Sequence, residues 1–326
     1  MIIGAELGRW LSSAELQGAT SGTMEEVRGR WSRHSLWREV RAQVENSNGD
    51  VAVLMSAARR VLGSDEVVTE VLGDMIEATA SDPFFRPPYP TVGSELHSGL
   101  LLFSSPELLV SVGIIRLEPL AAKKAGPRGP TSIMFNGERT LLRLLCAGGA
   151  TFSFWEAPPA GEDFQAETAG GCRLVGRRTM EDGEILLVDG RTQSFVIEHA
   201  SSDIVLIQAA IHSGASPLSL EYDSRTGAFL GASSTDESGS RLEMMATLMR
   251  LLDVREALPL VAKSIEGSSF HTRWHLMREL LAWDAEAALP NLRDMAERDP
   301  HPEVRDAARR TLAMLLEEEE EPECLV

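Results

Sequence analysis

The chain has 326 residues, with 31 Lys+Arg against 49 Asp+Glu and a formal net charge of −18. Apolar residues make up 43% and charged residues 25%, the composition of a globular protein with material for more than one core. The acid excess repels phosphate, which excludes nucleic acid and anionic membrane as general partners, and Cys146, Cys172 and Cys324 form neither a disulfide framework nor a CxxC zinc site. The start, Met1-Ile2-Ile3-Gly4-Ala5-Glu6, lacks a basic n-region, and the apolar stretch Leu108–Ile115 is too short to span a bilayer. The expectation is a soluble, cytoplasmic protein.

Residues 1–82 read as a helical segment. Thr23-Met24-Glu25-Glu26 has the form of a capping box and predicts a helix running to about Val44, stopped by Asn46-Ser47-Asn48-Gly49. Asp50 can cap a second helix whose stripe is Val51, Leu54, Ala58, Val61 and Leu62. Ser64 opens a third, with Val67, Val68, Val71, Leu72, Met75 and Ile76 on its apolar side. Asp82-Pro83-Phe84-Phe85-Arg86-Pro87-Pro88-Tyr89-Pro90 cannot continue a helix and is read as a connector packed through its aromatics.

From 83 to 238 the hydrophobic period changes. Short apolar runs at 99–103, 108–115, 140–145, 151–156, 184–188, 194–199 and 204–210 are separated by turn signals such as Asn136-Gly137, Gly148-Gly149, Asp182-Gly183 and Thr226-Gly227. This predicts a β sandwich or barrel. Residues 123–130, with Lys, Gly and Pro, read as a surface loop.

Residues 239–316 return to helical period and contain an internal repeat. Glu256-Ala257-Leu258-Pro259 recurs as Ala287-Ala288-Leu289-Pro290, and the stretch from Thr272-Arg273 to Leu280 recurs as Val304-Arg305 to Leu312. Each unit is helix, turn, helix, and stacking supplies the apolar partner that one unit lacks. The run of Glu from Glu317 repels itself, so 317–326 reads as an acidic, disordered tail.

Two resemblances add to this reading. Asp299-Pro300-His301-Pro302-Glu303-Val304-Arg305-Asp306-Ala307-Ala308-Arg309-Arg310-Thr311-Leu312 resembles the HEAT-like helical repeats, which implies a surface for protein partners. Gly171-Cys172-Arg173-Leu174-Val175-Gly176, followed by Thr179 to Phe195, resembles a cupin, the double-stranded β-helix barrel. That resemblance implies a His-bearing metal site, but Gln193 falls where one His would stand. The stretch Gly148 to Glu156 carries Glu156 and no His. The fold class expected is therefore α+β: an N-terminal helical segment, a degenerate cupin-like barrel and a C-terminal helical repeat pair.

Several candidate sites follow. Phe152, Phe154, Trp155, Glu156, Gln193 and Phe195 are candidates for lining a ligand pocket in the barrel, against plain core packing. His97, His199 and His212 are the alternative ligand set for a single divalent metal ion, in a cupin-type dioxygenase or isomerase; no metal is the favoured reading. His271, His275 and Glu279 lie one and two turns apart on a predicted helix, where a polar groove competes with a metal site. Arg173, Arg177, Arg178 and Arg191 could grip an anion or simply balance Glu181, Asp182 and Glu184. Residues 231–240 contain serines but no nucleophile elbow, and read as a loop capping a helix near Arg241. The function expected is a non-catalytic binding or scaffold protein, with a small molecule possible in the barrel and with a protein partner or self-association through the repeats.

Overall fold

The computed structural model describes residues 2–94, 96–125, 132–161 and 163–320. The architecture is mixed α+β, with helices first, sheets in the middle and helices last, as composition and period predict. The chain divides into two compact units that do not follow linear order. The first gathers residues 1–131, 138–156 and 174–215; the second gathers 132–137, 157–173 and 216–326.

In the first unit, five helices come first: α1 (Ile2–Ser12), α2 (Ala14–Arg33), α3 (Ser35–Asn46), α4 (Val51–Leu62) and α5 (Asp65–Ser81). The expected start at Thr23 is wrong. Ser13 caps α2 by accepting from the Leu16 N–H at 3.2 Å, and Thr23 sits mid-helix, its hydroxyl donating to the Ala19 carbonyl. An interior hydroxyl bonded back to i−4 is the alternative use of the same residue type. The helix also breaks at His34, whose extended backbone and Nδ1 cap α3 at the Leu36 N–H. Asn48 and Gly49 adopt φ of 48° and 77°, so the expected stop before Asp50 holds. Asp50 then caps α4, accepting from the Ala52 N–H at 2.7 Å. Ile76, expected on the buried side of α5, is exposed.

Sheet A contains β1 (Thr91–Gly93), β2 (His97–Ser104), β3 (Leu108–Ile115), β5 (Arg139–Cys146), β8 (Ile185–Asp189) and β10 (Ile204–Ile211), in the order β1-β2-β3-β10-β5-β8. Its strand pairs are all antiparallel. The central strands are apolar on both faces because both are covered. Ile207, Ala209, Ile211 and Leu141 meet Leu54, Ala57, Ala58 and Val61 of α4 in one core. Ile204, Leu206, Leu142 and Leu144 face a second core shared with β6 (Thr151–Glu156) and β9 (Gln193–His199). Those two strands, with β7 (Arg173–Thr179), form a three-stranded sheet ordered β7-β6-β9. A strand covered twice has no polar face to alternate, which explains the continuous run 108–115. Between β3 and the next strand lies α6 (Leu117–Ala125), where the sequence suggested the beginning of a loop; residues 126–130 of that expected loop lie outside the described residues.

In the second unit, β4 (Ser132–Phe135), β11 (Leu218–Asp223) and β12 (Phe229–Ser234) form a separate sheet ordered β12-β11-β4. Sequence reading missed all three strands, together with β1 and β7. The helices are α7 (Glu237–Leu251), α8 (Leu258–Ser264), α9 (Phe270–Trp283), α10 (Ala285–Arg298) and α11 (Pro302–Glu320). Helix α7 begins at Glu237, four residues before the expected start near Arg241, capped by Asp236, which accepts from the Ser238 N–H at 2.9 Å. Asp284 closes α9 and caps α10 through the Ala287 N–H. The acidic run 317–320 continues α11, and residues 321–326 lie outside the described residues.

Helices α9 and α11 share two local features at positions 32 residues apart in sequence (304 − 272). Thr272 and Leu276 of α9 are fully buried, as are Val304 and Ala308 at the equivalent positions of α11. Arg273 Nη1 donates to the Ser268 carbonyl at 2.8 Å, and Arg305 Nη1 donates to the Pro300 carbonyl at 3.0 Å, the same bond five residues back. Each guanidinium thereby ties down the loop that precedes its own helix.

Candidate functional site

The sites expected in the β region come first. Phe152, Phe154, Trp155 and Glu156 lie on β6, opposite Ile197, Phe195, Ser194 and Gln193 of β9. Phe152 is fully buried and stacks on Phe195 with centroids 4.9 Å apart and planes 4° from parallel. Phe154 and Phe195 pack against the core that contains Phe152, and Arg178 lies 5.3 Å over the Phe154 ring. Trp155 points to the other side of β6 and donates to the Ser153 hydroxyl at 3.1 Å. Gln193 is exposed, and its side-chain oxygen accepts from the Asp189 N–H, closing the turn between β8 and β9. Strand alternation puts Phe152, Phe154, Glu156, Phe195 and Gln193 on one face and Trp155 on the other, and along that one face the candidates run from the buried Phe152 stack to the exposed Gln193 at the strand end.

The three histidines proposed as metal ligands are not brought together. His97 pairs with Ile115, which pairs with Ile204 at the start of β10, whereas His212 follows Ile211 at the far end of that strand. Eight strand residues at about 3.3 Å each put some 25 Å between the two ends. His199 is exposed at the end of β9, opposite Thr151. His212 Nδ1 lies 2.8 Å from Glu138. His97 is held differently: a Cβ on Gly113 would fall 2.2 Å from its Nε2, so the ring occupies a slot that only glycine leaves open. Burial pushes the His97 imidazole below its ordinary range. Among the described residues, no group of three or more His, Cys, Asp or Glu side chains could hold a metal ion.

The arginines of the β region are engaged locally. Arg178 bonds Glu184 at 2.5 Å, Arg177 lies 3.6 Å from Glu198, and Arg191 reaches Asp189 at 2.6 Å. The hydrogen bond from Arg178, opposed by partial burial, holds the Glu184 carboxyl below the usual range. Cys146 and Cys172 are free and half-buried, and burial pushes the Cys172 thiol up, away from nucleophile behaviour.

The C-terminal helices carry the most developed polar constellation. His271, His275 and Glu279 do lie along α9, but they do not share an ion. Their neighbours are on α7. Glu243 accepts from the Thr272 hydroxyl at 2.8 Å, Thr247 meets His275 Nε2 at 3.4 Å, and Arg250 donates to Glu279 at 2.6 Å. Burial opposes ionisation of Glu279, yet hydrogen bonds from Arg250 and Thr247 outweigh it and leave the carboxyl below its ordinary value. His271 is pushed down, chiefly by burial, and packs against Phe270 with ring centroids 4.3 Å apart.

Beside this seam the second unit opens a cleft of about 1050 Å³. The loop 265–269, α9, α10 and the loop 299–301 form its walls. Its floor is an ion pair that water hardly reaches: Arg273 holds Asp299 through Nε at 2.8 Å and Nη2 at 2.7 Å, with Asp299 only 3% exposed. Asp299 also accepts from the His301 N–H at 2.8 Å, and its own carbonyl accepts from Arg305. A bidentate pair with both partners anchored by backbone fixes the cleft's shape rather than offering a free charge. His301 stacks on Phe270 at 4.0 Å, 6° from parallel, and its Nε2 meets the Phe164 carbonyl at 2.9 Å. A carbonyl only accepts, so Nε2 carries the proton. Glu303 accepts from the Ala166 N–H at 2.7 Å and fastens the same segment.

The accessible character of the cleft follows from what is already paired. Arg273 is consumed by Asp299, and Arg298 bonds Asp294. Glu266 and Asp163 add further acids to the lining, so the wall is net acidic, while Ile265, Phe270, Met277 and Met295 supply apolar surface. The sequence signal for this site was the repeated Arg273 and Arg305. Their partner Asp299 stands within the motif, but nothing in the spacing shows that Arg273 crosses to it.

No protein-family model and no curated protein sequence matches the chain. Among solved structures, the chain is similar over 37% of its length to ectoine synthase from P. lautus, at 9% identity, 67% of that chain and a TM-score of 0.22. The cupin domain of Cnp3 from Schizosaccharomyces pombe is similar over 39% of this chain and 68% of its own, at 8% identity and a TM-score of 0.22. A cupin domain from Bordetella pertussis is similar over 37% of this chain and 97% of its own, at 10% identity and a TM-score of 0.22. Cupin domains are thus neighbours of little more than a third of the chain.

Proposed function

We propose that this protein is a binding or scaffold protein whose C-terminal helices, read as HEAT-like repeats, take a segment of a protein partner in the cleft beside Arg273 and Asp299. The cleft itself carries the reading. Its volume of about 1050 Å³ lies at the top of the roughly 300–1,000 Å³ range of small-molecule pockets and suits an extended peptide. Its acids outnumber its bases, and its bases are already paired, so the matching segment is basic. Apolar side chains between the acids ask for an apolar anchor next to each Lys or Arg. The β region, read as a degenerate cupin-like fold, supports this function structurally: its stacked Phe152 and Phe195 build a core.

Fluorescein-labelled twelve-residue peptides that alternate Lys or Arg with Leu, Met or Phe test the proposal against the same series carrying Glu. The basic series should bind in the micromolar range, and Glu266→Lys combined with Asp294→Lys should weaken it by at least about tenfold, the scale of one or two rim charges. Equal binding of both series, or binding indifferent to the double variant, overturns the proposal.

A further inference from the structure

Two imidazoles pack against one aromatic ring in the wall of the cleft. His301 stacks on Phe270 with centroids 4.0 Å apart and planes 6° from parallel, and His271 packs on the same ring at 4.3 Å. Each histidine has a buried ring nitrogen, His271 Nε2 and His301 Nδ1, with no hydrogen-bond partner among the described residues. His301 is only 3% exposed and lines the cleft. Its other nitrogen, Nε2, donates to the Phe164 carbonyl at 2.9 Å. A neutral ring fits both contacts, with one N–H for the carbonyl and one lone pair that meets nothing.

Charged groups approach the pair from each neighbouring element. Glu243 of α7 and Glu303 of α11 act on His271, as does His301. His275, one turn further along α9, stands between Glu243 and Glu279. Around His301, Asp299 accepts from its backbone N–H but is paired with Arg273, and Arg305 bonds the carbonyls of Asp299 and Pro300. Glu303 accepts from the Ala166 N–H at 2.7 Å, and Asp163 lies on the cleft. Burial pushes the His271 imidazole down, Glu243 pulls it up, His301 adds to the fall and Glu303 opposes it, leaving it below its ordinary range.

We infer that this pair gates the cleft by pH: proton uptake by His271 and His301 loosens the segment 163–166 and expels the bound basic segment. The gate rests on the reading of the cleft as a site for a basic peptide. Between about pH 7.5 and 5.5, imidazole is the side chain that ordinarily changes charge. A proton arriving at His301 must sit on Nδ1, because Nε2 already holds one. It creates a buried charge and a buried N–H with no acceptor, both of which are costly. The ring is relieved by turning toward water, which gives up the Phe164 bond and the Phe270 stack. A charged His271 repels it and drives the same movement. Segment 163–166 loses that tie and keeps the Glu303 bond to Ala166 and the Phe164 contact with Phe229, at 5.5 Å between centroids. The new positive charges also enter a wall whose attraction for a basic segment is its acid excess.

Hydrogen exchange of the full chain, read by mass spectrometry and corrected for intrinsic rate, tests the gate at about pH 7.5 and about pH 5.5. Protection across 163–168 should fall by about tenfold at the lower value while that of α4 stays level. His301→Gln keeps an N–H for the Phe164 carbonyl and cannot take the proton, so its protection should not depend on pH. If Gln at that buried position unfolds the chain, His271→Gln, at a half-buried one, should cut the fall to about threefold. His275→Gln, on the seam with α7, should leave the fall whole. Calorimetric titration with the unlabelled basic peptides should give affinity about tenfold weaker at the lower pH in the parent chain and unchanged in His301→Gln. Protection across 163–168 that ignores pH in the parent chain, or that falls equally in His301→Gln and His271→Gln, overturns the inference. So does a basic peptide bound equally at both values. Peptides that bind at neither value, with exchange as expected, refute the proposed function while supporting the loosening of 163–166.

Discussion

The two regions treat their apolar residues in opposite ways. In the β-sheets of the first unit, each side chain's position along its strand decides its side, and both sides of β5 and β10 are dry. In α7 of the second unit the inward side is mixed, with Leu242, Ala246 and Met249 packed in a core beside the seam of Glu243, Thr247 and Arg250, while Met244, Leu248 and Leu251 stay exposed. The contrast separates two uses of hydrophobic sequence. The sheet strands bury apolar residues on both sides, whereas α7 divides its own between a core shared with α9 and a solvent-facing stripe, with a polar seam to α9 in between.

Variants that remove one element from each side sharpen this contrast. Phe152→Ala should cost about 3–5 kcal/mol in urea denaturation, because the ring is buried and stacked on Phe195. A loss under about 1 kcal/mol would mean the aromatics line a space instead of filling it, and the contrast would fail. Asp299→Ala should cost about 3 kcal/mol by leaving the Arg273 guanidinium buried without its carboxylate. The same denaturation series reads it, and Asp299→Asn should recover only a part.

Glu279→Gln should cost roughly 2 kcal/mol at neutral pH, where the ionised carboxyl accepts from Arg250. The folded protein holds that carboxyl below its ordinary value, so the unfolded chain binds the proton first as pH falls. The stabilisation is complete above the ordinary value of 4.5 and fades as pH drops through the folded one. Melting temperatures of parent and variant should therefore converge on acidification. The smallest effect belongs to the outer face. Leu251→Ser, read in the same urea denaturation series, should shift stability by less than about 0.5 kcal/mol.

Much of this architecture can be read from the sequence where a residue's role is local. Asp50 caps the helix it precedes, Asn48-Gly49 stops the one before, and the apolar runs at 108–115 and 151–156 coincide with β3 and β6. Thr23 misleads because a hydroxyl can cap a helix or bond back within one, and only the competing Ser13 decides. Strand β4 is harder to see, since its partner β11 lies far along the chain, Ile133 pairing with Tyr222 at a separation of 89 residues (222 − 133). The cleft was legible only as a repeated Arg. The exposed stripe of α7 has the spacing of a core stripe, and sequence cannot say that Leu242, Ala246 and Met249 take the inward position instead.

Strand β10 is the last strand of its sheet to be made, yet it sits at the sheet's centre, between β3 and β5. Until residue 211 has left the ribosome, the sheet exists as two fragments, β1-β2-β3 and β5-β8, each with one bare edge of unpaired amides. Those edges are among the most apolar segments of the chain, and closing the gap requires contacts far apart in sequence, which form slowly. The nascent protein is therefore most exposed to edge-to-edge aggregation after β8 emerges and before β10 does.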